Sequence, residues 1–172
     1  AFAAAWQESD VSVMVAHAAY LINLAASNAD VEKKSISSLQ HELERCELLK
    51  IPYLVLHPGA HTGRGVESGI EQIARNLSAV LGKVPGTTKI LLETAAGQGT
   101  TLGRTFHELR AMYDACEAAV RHRVGICLDT CHVFASGYNL DSVSAYQAMM
   151  KEFDAVIGRN LLKVVHLNDS LL

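Results

Sequence analysis

The chain has 172 residues, 49% of them hydrophobic, and a formal net charge of −3 at pH 7. This length is sufficient for one domain with a buried core, and the apolar content excludes an intrinsically disordered chain. The slight negative charge provides no general attraction for nucleic acid, so a phosphate-binding protein of this composition needs a local device such as metal ions or a basic patch. No apolar run approaches the roughly 18 residues of a membrane span, and no signal peptide opens the sequence.

Apolar and amphipathic segments alternate along the chain. The opening AFAAAWQESD is typical of the end of a helix. Five short apolar segments, mostly rich in Val, Ile and Leu, are predicted to be strands buried on both faces. These strands are 11–17, 52–57, 88–93, 123–129 and 161–167.

Four segments between the strands carry apolar residues three or four positions apart, which predicts amphipathic helices. Their apolar positions are Ile36, Leu39, Leu43, Cys46 and Leu49; Ile70, Ile73, Leu77 and Val80; Phe106, Leu109, Met112, Tyr113, Cys116 and Val120; and Val143, Tyr146, Met149, Met150, Phe153 and Ile157. Alternating strands and helices predict right-handed βαβ units and a parallel sheet. Since no linker interrupts the pattern, we expect one α/β domain over residues 1–172.

The four cysteines, Cys46, Cys116, Cys127 and Cys131, lie in apolar segments and form no C-x-x-C pair. We interpret them as reduced core thiols, which are typical of cytosolic proteins. We therefore expect a cytoplasmic location, in a bacterial-type cytosol or nucleoid.

Each predicted strand ends at, or within about one residue of, a potential metal ligand. These residues are His17, His57, Glu93, Asp129 and His166, separated by gaps of 40, 36, 36 and 37 residues. Because parallel strands point the same way, the five side chains should gather at one rim, and the carboxyl-terminal rim is where (β/α) barrels carry their active sites. Imidazoles and carboxylates together suit zinc or manganese, so the pattern predicts a metal site.

Each of these residues also has a simpler explanation on its own. A single His at a strand end is more often a hydrogen-bonded turn residue, and an Asp or Glu there is commonly the N-cap of the following helix. Five such endings in five strands favour the metal site.

The remaining histidines are interpreted differently. His61 follows His57 by four residues in HPGAH, but the Pro58–Gly59 turn prevents a helical arrangement of the two rings. Two interpretations of His61 stay open. It either supports the metal ligands or faces the substrate, or it is a loop histidine without a role in the site. Three histidines on or beside helices are interpreted as solvated surface residues: His41, His107 and His122.

Five motifs occur in order along the chain: HAAYLINL (17–24), LHPGAHTG (56–63), LETAAGQG (92–99), LDTCHVFASGY (128–138) and VHLNDS (165–170). Together they resemble the endonuclease IV family of apurinic/apyrimidinic endonucleases, over essentially the whole chain. The resemblance implies a (β/α)8 TIM barrel that holds three zinc ions, with Mn2+ as an alternative in some sites. It also implies an enzyme of DNA base-excision repair that hydrolyses the phosphodiester 5′ to an abasic site in duplex DNA.

The same resemblance assigns roles to six residues. His17, His57 and Glu93 would hold the first zinc, and the Glu93 carboxylate would bridge to the second as the catalytic glutamate. Two residues, Asp129 and His166, would bind the second zinc, and His132 would bind the third. Such a cluster lowers the pKa of a bridging water toward neutrality, which supplies hydroxide for the reaction, and it neutralises charge on the phosphate.

The resemblance also suggests DNA contacts. Tyr20 and Leu21 correspond to a family loop that enters the DNA at the lesion, where wedging costs least because a base is already missing. The alternative is that Tyr20, Leu21 and Ile22 pack against the next turn. Candidates for orienting ligands or contacting phosphate are Gln98, Asn168 and Asp169.

The sequence departs from the family in extent. A closed barrel has eight strands and typically about 250 residues, whereas about five β/α units are predicted here. The family's last glutamate, and the Asp and His that join His132 on the third zinc, have no counterpart in this sequence. We therefore expect a partial metallo-nuclease domain, either a fragment of a longer protein or a sheet that partner chains close, since open edges and an open face invite association. The intact protein is expected to be a monomer, whereas the isolated chain should bind zinc weakly, incise little DNA and self-associate.

Two alternatives stay open. A sugar isomerase or epimerase with the same barrel would use one or two divalent ions, although the three strand-end histidines and the DTCH segment favour more than one zinc. A non-catalytic DNA-binding or oligomeric fragment would keep Tyr20 and Leu21 without turnover.

Overall fold

Five parallel strands form a single sheet in the computed structural model, which describes residues 2–170. The strands are β1 (Val15–His17), β2 (Tyr53–Leu56), β3 (Lys89–Glu93), β4 (Val124–Asp129) and β5 (Leu162–His166). Their spatial order is their chain order, and each pairs in parallel with the next. In register, Glu93 lies opposite Cys127, and Asp129 lies opposite His166. This sequential parallel order is that of a (β/α) barrel sector, as predicted.

The helices occupy the connections between strands. They are α1 (Phe2–Gln7), α2 (Ala29–Leu49), α3 (Val66–Lys83), α4 (Phe106–Ala115), α5 (Ala118–Arg121), α6 (Thr130–Ala135) and α7 (Val143–Val156), followed by a 3-10 turn (Arg159–Leu161). Side-chain N-caps fix the start of several of them: Asn28 caps α2, Thr105 caps α4 and Ser142 caps α7. Each cap accepts a hydrogen bond from an otherwise unpaired backbone N–H of the first turn. Within residues 2–170 no helix is both long and apolar enough to cross a membrane.

The core lies between the sheet and the helices. Alternate strand residues point to this side, so Leu54, Ile90 and Leu92 are fully buried there. Phe106 on α4 and Phe153 on α7 are also fully buried, and their ring centroids lie 5.2 Å apart. Helices α4 and α7 are thereby packed together against the same core.

The opposite, inner face of the sheet carries a smaller cluster. Val55, Leu91 and Cys127 are buried there, and Tyr53 and Val164 pack against them. This layer lies one step below the strand ends, because alternate residues of each strand face the same way. This cluster therefore lies directly beneath the predicted ligands at the carboxyl ends of the strands.

A buried ion pair ties the other end of the strands together. The Arg123 side chain, directly before β4, contacts Glu47 of α2 at 2.9 Å (Nη2 to Oε1). Its guanidinium also donates to the backbone carbonyls of Leu81, Val84 and Thr88. Since Arg123 is only 5% exposed, these contacts satisfy a charge that would otherwise be costly to bury.

The edge strands β1 and β5 are not buried on both faces, contrary to prediction. Two predicted elements also differ from the structure in extent. The first strand was predicted over 11–17 but covers only Val15–His17, and Val11 and Val13 are each 52% exposed. The third helical pattern was predicted to run to Val120, but α4 ends at Ala115 because Cys116 adopts an extended conformation (φ −65°, ψ 146°). There the Glu117 N–H donates to Ser78 Oγ on α3, so tertiary packing overrides the helical periodicity.

The cysteines are all free thiols, as predicted. Cys46, Cys116 and Cys127 are buried, and burial raises the pKa of each thiol, to about 11, 11 and 12 respectively. The core interpretation was wrong for Cys131, which is only partly buried because it lies on the short rim helix α6.

Candidate metal centre

The ends of all five strands converge on one carboxylate, that of Glu93. Its side chain is only 2% exposed, and its Oε2 lies 3.0 Å from both His17 Nε2 and His57 Nε2. The second oxygen, Oε1, lies 2.9 Å from His166 Nδ1 and 3.5 Å from His132 Nδ1. Four imidazoles from four segments of the chain therefore surround a single buried acid.

The surroundings of Glu93 keep it ionised. Burial alone would raise the pKa of this carboxyl, but hydrogen bonds from His17 and His57, with a further one from His166, outweigh burial and lower it well below its usual range. In return, the hydrogen bond to Glu93 raises the pKa of His17. The site thus holds a permanent negative charge among basic nitrogens.

His17 is oriented by both of its ring nitrogens. Nδ1 lies 2.8 Å from the Ala18 carbonyl oxygen, and Nε2 faces Glu93. A histidine that donates Nδ1–H to a carbonyl presents Nε2 in a fixed direction, which is the usual arrangement around metal-binding imidazoles. The same atom that contacts Glu93 is therefore the one that could bind a cation.

The donor atoms fit divalent cations. Within residues 2–170, three groups of residues bring one donor atom each within 4.8 Å of one another: His17, His57 and Glu93; Glu93, Cys127 and His166; and Glu93, Asp129 and His132. Ligands about 2.0–2.1 Å from a tetrahedral zinc lie about 3.3 Å apart, close to the 3.0 Å contacts that His17 and His57 make with Glu93. All three groups share Glu93, so its carboxylate is suited to bridging cations.

Asp129 uses its two carboxylate oxygens differently. Oδ1 accepts from the His132 backbone N–H (2.9 Å) and caps α6, as the simpler interpretation expected. Oδ2 accepts from Asn168 Nδ2 at 2.6 Å and lies 3.6 Å from His166 Nδ1. The Asp129 N–H donates to Thr94 Oγ1 (2.9 Å). N-capping and metal binding are therefore compatible at this residue.

The geometry brings His132 near the other ligands. Its Nδ1 lies 2.8 Å from the Thr94 carbonyl oxygen and 3.9 Å from Asp129 Oδ1. If Nδ1–H donates to Thr94, Nε2 is the ring nitrogen that could bind a cation. The assignment of His132 to a separate third metal stays a prediction.

Tyr20 and Leu21 lie on the turn after β1, beside the candidate metal ligands. Their side chains are 81% and 86% exposed, whereas Ile22 is buried. The Tyr20 ring makes an edge contact with His57, with ring centroids 5.6 Å apart. Of the three residues, only Ile22 packs inward, and the other two project beside the ligands. An open cavity of about 270 Å3 adjoins Tyr20 and is lined by residues including His57, Gln98 and His132.

The remaining candidates have mixed positions. His61 Nδ1 accepts from the N–H groups of Gly63 and Gly65, which fits the interpretation as a loop histidine. Asn168 Nδ2 donates to Asp129 Oδ2, whereas Asp169 Oδ1 accepts from the adjacent Ser170 N–H. The three helix-associated histidines are exposed or partly exposed: His41, His107 and His122.

Comparison with known proteins decides the family. A profile described as the xylose isomerase-like TIM barrel matches residues 1–171. The chain belongs to this family. A relative named "Probable endonuclease 4" from Chloroflexus aggregans (strain MD-66 / DSM 9485) is 47% identical over 171 residues, which are 99% of this chain and 59% of that protein.

Solved structures also share the fold of this chain. Endonuclease IV from Thermus thermophilus has a TM-score of 0.82 at 33% identity, covering 99% of this chain and 58% of that one. A D-tagatose 3-epimerase-like protein has a TM-score of 0.74 at 20% identity and shares the fold, covering 97% of this chain and 60% of that one. The resemblance to endonuclease IV is thus confirmed, and the chain spans about 59% of the length of the curated relative.

Sequence reasoning missed two residues of this site. Cys127 lies mid-strand rather than at a strand end, and only the pleat of β4 turns its thiol toward Glu93. Thr94 contacts Asp129 through its hydroxyl and His132 through its carbonyl. Its position directly after Glu93 was the only signal that could have indicated it.

Proposed function

We propose that this site belongs to a zinc-dependent endonuclease of DNA base-excision repair, which hydrolyses the phosphodiester 5′ to abasic sites in duplex DNA. The observation that carries the proposal is the buried Glu93 carboxylate, shared by imidazoles from several strand ends. The similarity to proteins named endonuclease 4 or endonuclease IV, at 47% and 33% identity for the two described above, supports the choice of reaction.

Six residues would hold the cations: His17, His57, Glu93, Asp129, His132 and His166. When bound, divalent cations acidify a coordinated water and neutralise charge on the phosphate and on the departing oxygen. They would also provide the local positive charge that a chain of net charge −3 lacks.

The chain's own residues prepare this site. The Ala18 carbonyl orients His17, Thr94 orients His132, and Asn168 holds Asp129. These contacts fix the donor atoms before a cation arrives, which lowers the entropy lost on binding.

Tyr20 and Leu21 would contact the DNA. Both are highly exposed, and Tyr20 contacts a proposed ligand, His57. Apolar groups in this position could enter the base stack at the point where a base is missing, since unstacking costs least there.

The activity of this chain is a separate part of the proposal. Three ligands that the endonuclease IV resemblance implies, a glutamate and an Asp and His pair, have no counterpart in this sequence. We therefore infer that the chain binds zinc weakly and incises little DNA, while it still prefers a duplex with an abasic site.

The test incubates the chain with zinc and a duplex that carries one abasic analogue, with an undamaged duplex of the same sequence as control. We expect tighter binding to the abasic duplex, little cleavage, and weaker zinc binding in His57→Ala. Equal binding to both duplexes would contradict the proposed substrate. Robust cleavage would contradict the inferred impairment.

The sugar isomerase alternative predicts a different metal content. Its structural support is the epimerase-like neighbour, which at 20% identity shows the fold alone. Elemental analysis after reconstitution should find zinc retained in preference to manganese or magnesium. The reverse preference would favour the isomerase.

A further inference from the structure

The turn that carries Tyr20 and Leu21 is anchored at both of its ends. At the start, the Ala18 N–H donates to the Val55 carbonyl (2.8 Å), which extends the β1–β2 ladder. The buried Ile22 closes the turn through a hydrogen bond from its N–H to the Ala19 carbonyl (3.0 Å). The exposed side chains of Tyr20 and Leu21 therefore project from a short turn that backbone hydrogen bonds hold at Ala18 and Ile22.

Asn23, the residue after Ile22, holds the end of the turn further through its side-chain amide. Nδ2 donates to the Ala60 carbonyl and Oδ1 accepts from the Ala60 N–H, both at 3.0 Å. Oδ1 also accepts from the Ala25 N–H at 3.0 Å. One carboxamide thus pairs with both backbone groups of a single residue, as an adjacent strand would. Two N–H donors at Oδ1 and a carbonyl at Nδ2 define the orientation of the amide.

A glycine makes room for this contact. Gly59 has φ of +115°, and a Cβ at this position would lie 2.4 Å from Asn23 Oδ1. The loop that contains Gly59 and Ala60 begins at His57. Hence the Asn23 amide joins the Tyr20 turn directly to the loop of a proposed metal ligand.

The same loop is tied to the next one. The Leu102 N–H donates to the Gly59 carbonyl (2.8 Å), and Ala60 forms an antiparallel bridge with Thr101. The connections that follow β1, β2 and β3 are therefore linked by hydrogen bonds at the rim. Asn23 supplies the side-chain link between the first two that lies nearest to Tyr20 and Leu21, while Ser27 is linked to Thr62 and Arg64 farther along the same connection.

We propose that Asn23 is a positioning residue that holds Tyr20 and Leu21 in a fixed relation to the His57 side of the metal centre. The inference rests on the proposed function, since it assigns Asn23 a role in lesion binding through Tyr20. The physical reason is entropic: exposed side chains on a loosely held turn must be ordered when DNA binds, and a turn that is already rigid avoids that loss.

The test compares Asn23→Ala, Asn23→Asp and Gly59→Ala with Asn139→Ala. Asn139 is a matched control, because its Oδ1 also accepts a local backbone N–H, that of Asp141, on an exposed loop. Asn23→Asp keeps the two accepted hydrogen bonds but cannot donate to Ala60. Gly59→Ala keeps the amide but crowds it.

We expect Asn23→Ala and Gly59→Ala to weaken binding of the abasic duplex about tenfold, which is the entropic cost of ordering roughly one loosened residue of the turn when DNA binds. Asn23→Asp should lie between these variants and the parent. The NMR order parameters of the Tyr20 and Leu21 amides should fall toward about 0.6 in Asn23→Ala. Binding of undamaged duplex and of Co2+ should be unchanged, which a general structural defect would not allow.

Two results would overturn the inference. One is order parameters at Tyr20 and Leu21 that match those of the parent in Asn23→Ala. The other is unchanged abasic-duplex binding in Asn23→Ala although Tyr20→Ala weakens it. If Tyr20→Ala itself leaves lesion binding unchanged, the proposed DNA contact of Tyr20 fails and the assigned role of Asn23 fails with it, while zinc binding still tests the metal centre.

Discussion

Replacing Glu93 with Gln should abolish most of the stabilisation that zinc gives to this protein. All three groups of potential ligands contain Glu93, so a single substitution weakens every cation position. At a free zinc concentration 100 times its dissociation constant, binding stabilises a protein by about 2.7 kcal/mol. For a chain of 172 residues, this corresponds to a rise in Tm of roughly 5–10 °C.

The neutral amide of Gln is a poor ligand, and we expect Glu93→Gln to weaken zinc binding about 100-fold, the upper end of changes seen when a metal site is disturbed. At the same zinc concentration the stabilisation then falls to about 0.4 kcal/mol, or about 1 °C in Tm. Differential scanning calorimetry with and without zinc measures both values.

Glu71→Gln, an exposed substitution on α3, serves as control and should keep the full zinc-induced rise in Tm. His132→Ala should reduce the rise only in part, since His132 belongs to one of the three ligand groups. A Glu93→Gln variant with an unchanged zinc-induced rise would refute the reasoning, because the shared carboxylate could not then be the ligand that the groups have in common.

Three further predictions concern pH, stability and thiol reactivity. The hydrogen bond to the shared carboxylate raises the pKa of His17, so zinc competes with a proton at this ring. Zinc affinity should therefore fall as pH drops below that raised pKa, by at most about tenfold per pH unit for each proton released. Competition with a chromophoric chelator at a series of pH values measures the affinity, and a flat profile would contradict the prediction. Arg123→Met should lower the free energy of unfolding in urea by about 1.5–3 kcal/mol, because it removes charged hydrogen bonds and leaves the partly buried Glu47 without its cation. Arg159→Ala, at a surface pair, should have a much smaller effect, and equal effects of the two substitutions would contradict this. Burial raises the pKa of the Cys127 thiol to about 12, so iodoacetamide at pH 8 should alkylate the partly exposed Cys131 before Cys127. Peptide mass spectrometry measures the order of alkylation, and early alkylation of Cys127 would show that its strand is not buried.

The parallel sheet and its rim were predictable because both depend on regular spacing. Ligands at strand ends separated by 36–40 residues must meet once the strands are parallel and adjacent, whatever the details of the helices. The structure places the ends of β1 to β5 together in chain order, and the predicted residues do meet at Glu93.

Local departures from periodicity were not predictable in the same way. The helical pattern continues past Ala115, yet the helix stops there because the Glu117 N–H bonds to Ser78, 39 residues earlier. A pattern of apolar residues records which side faces the core, but not where a tertiary hydrogen bond replaces a helical one.

By itself, the sequence determined the class of the protein, the order of its strands and six of the seven residues in the groups that could hold a metal ion. Only the tertiary structure decided that Glu93 is the carboxylate that several imidazoles share, that Cys127 faces the same site, and that Asn23 binds the backbone of Ala60, 37 residues away. The physical reason is that these features depend on different ranges of interaction. Strand order and ligand type follow from patterns along the chain, whereas contacts of about 3 Å depend on how loops and side chains from distant segments pack together.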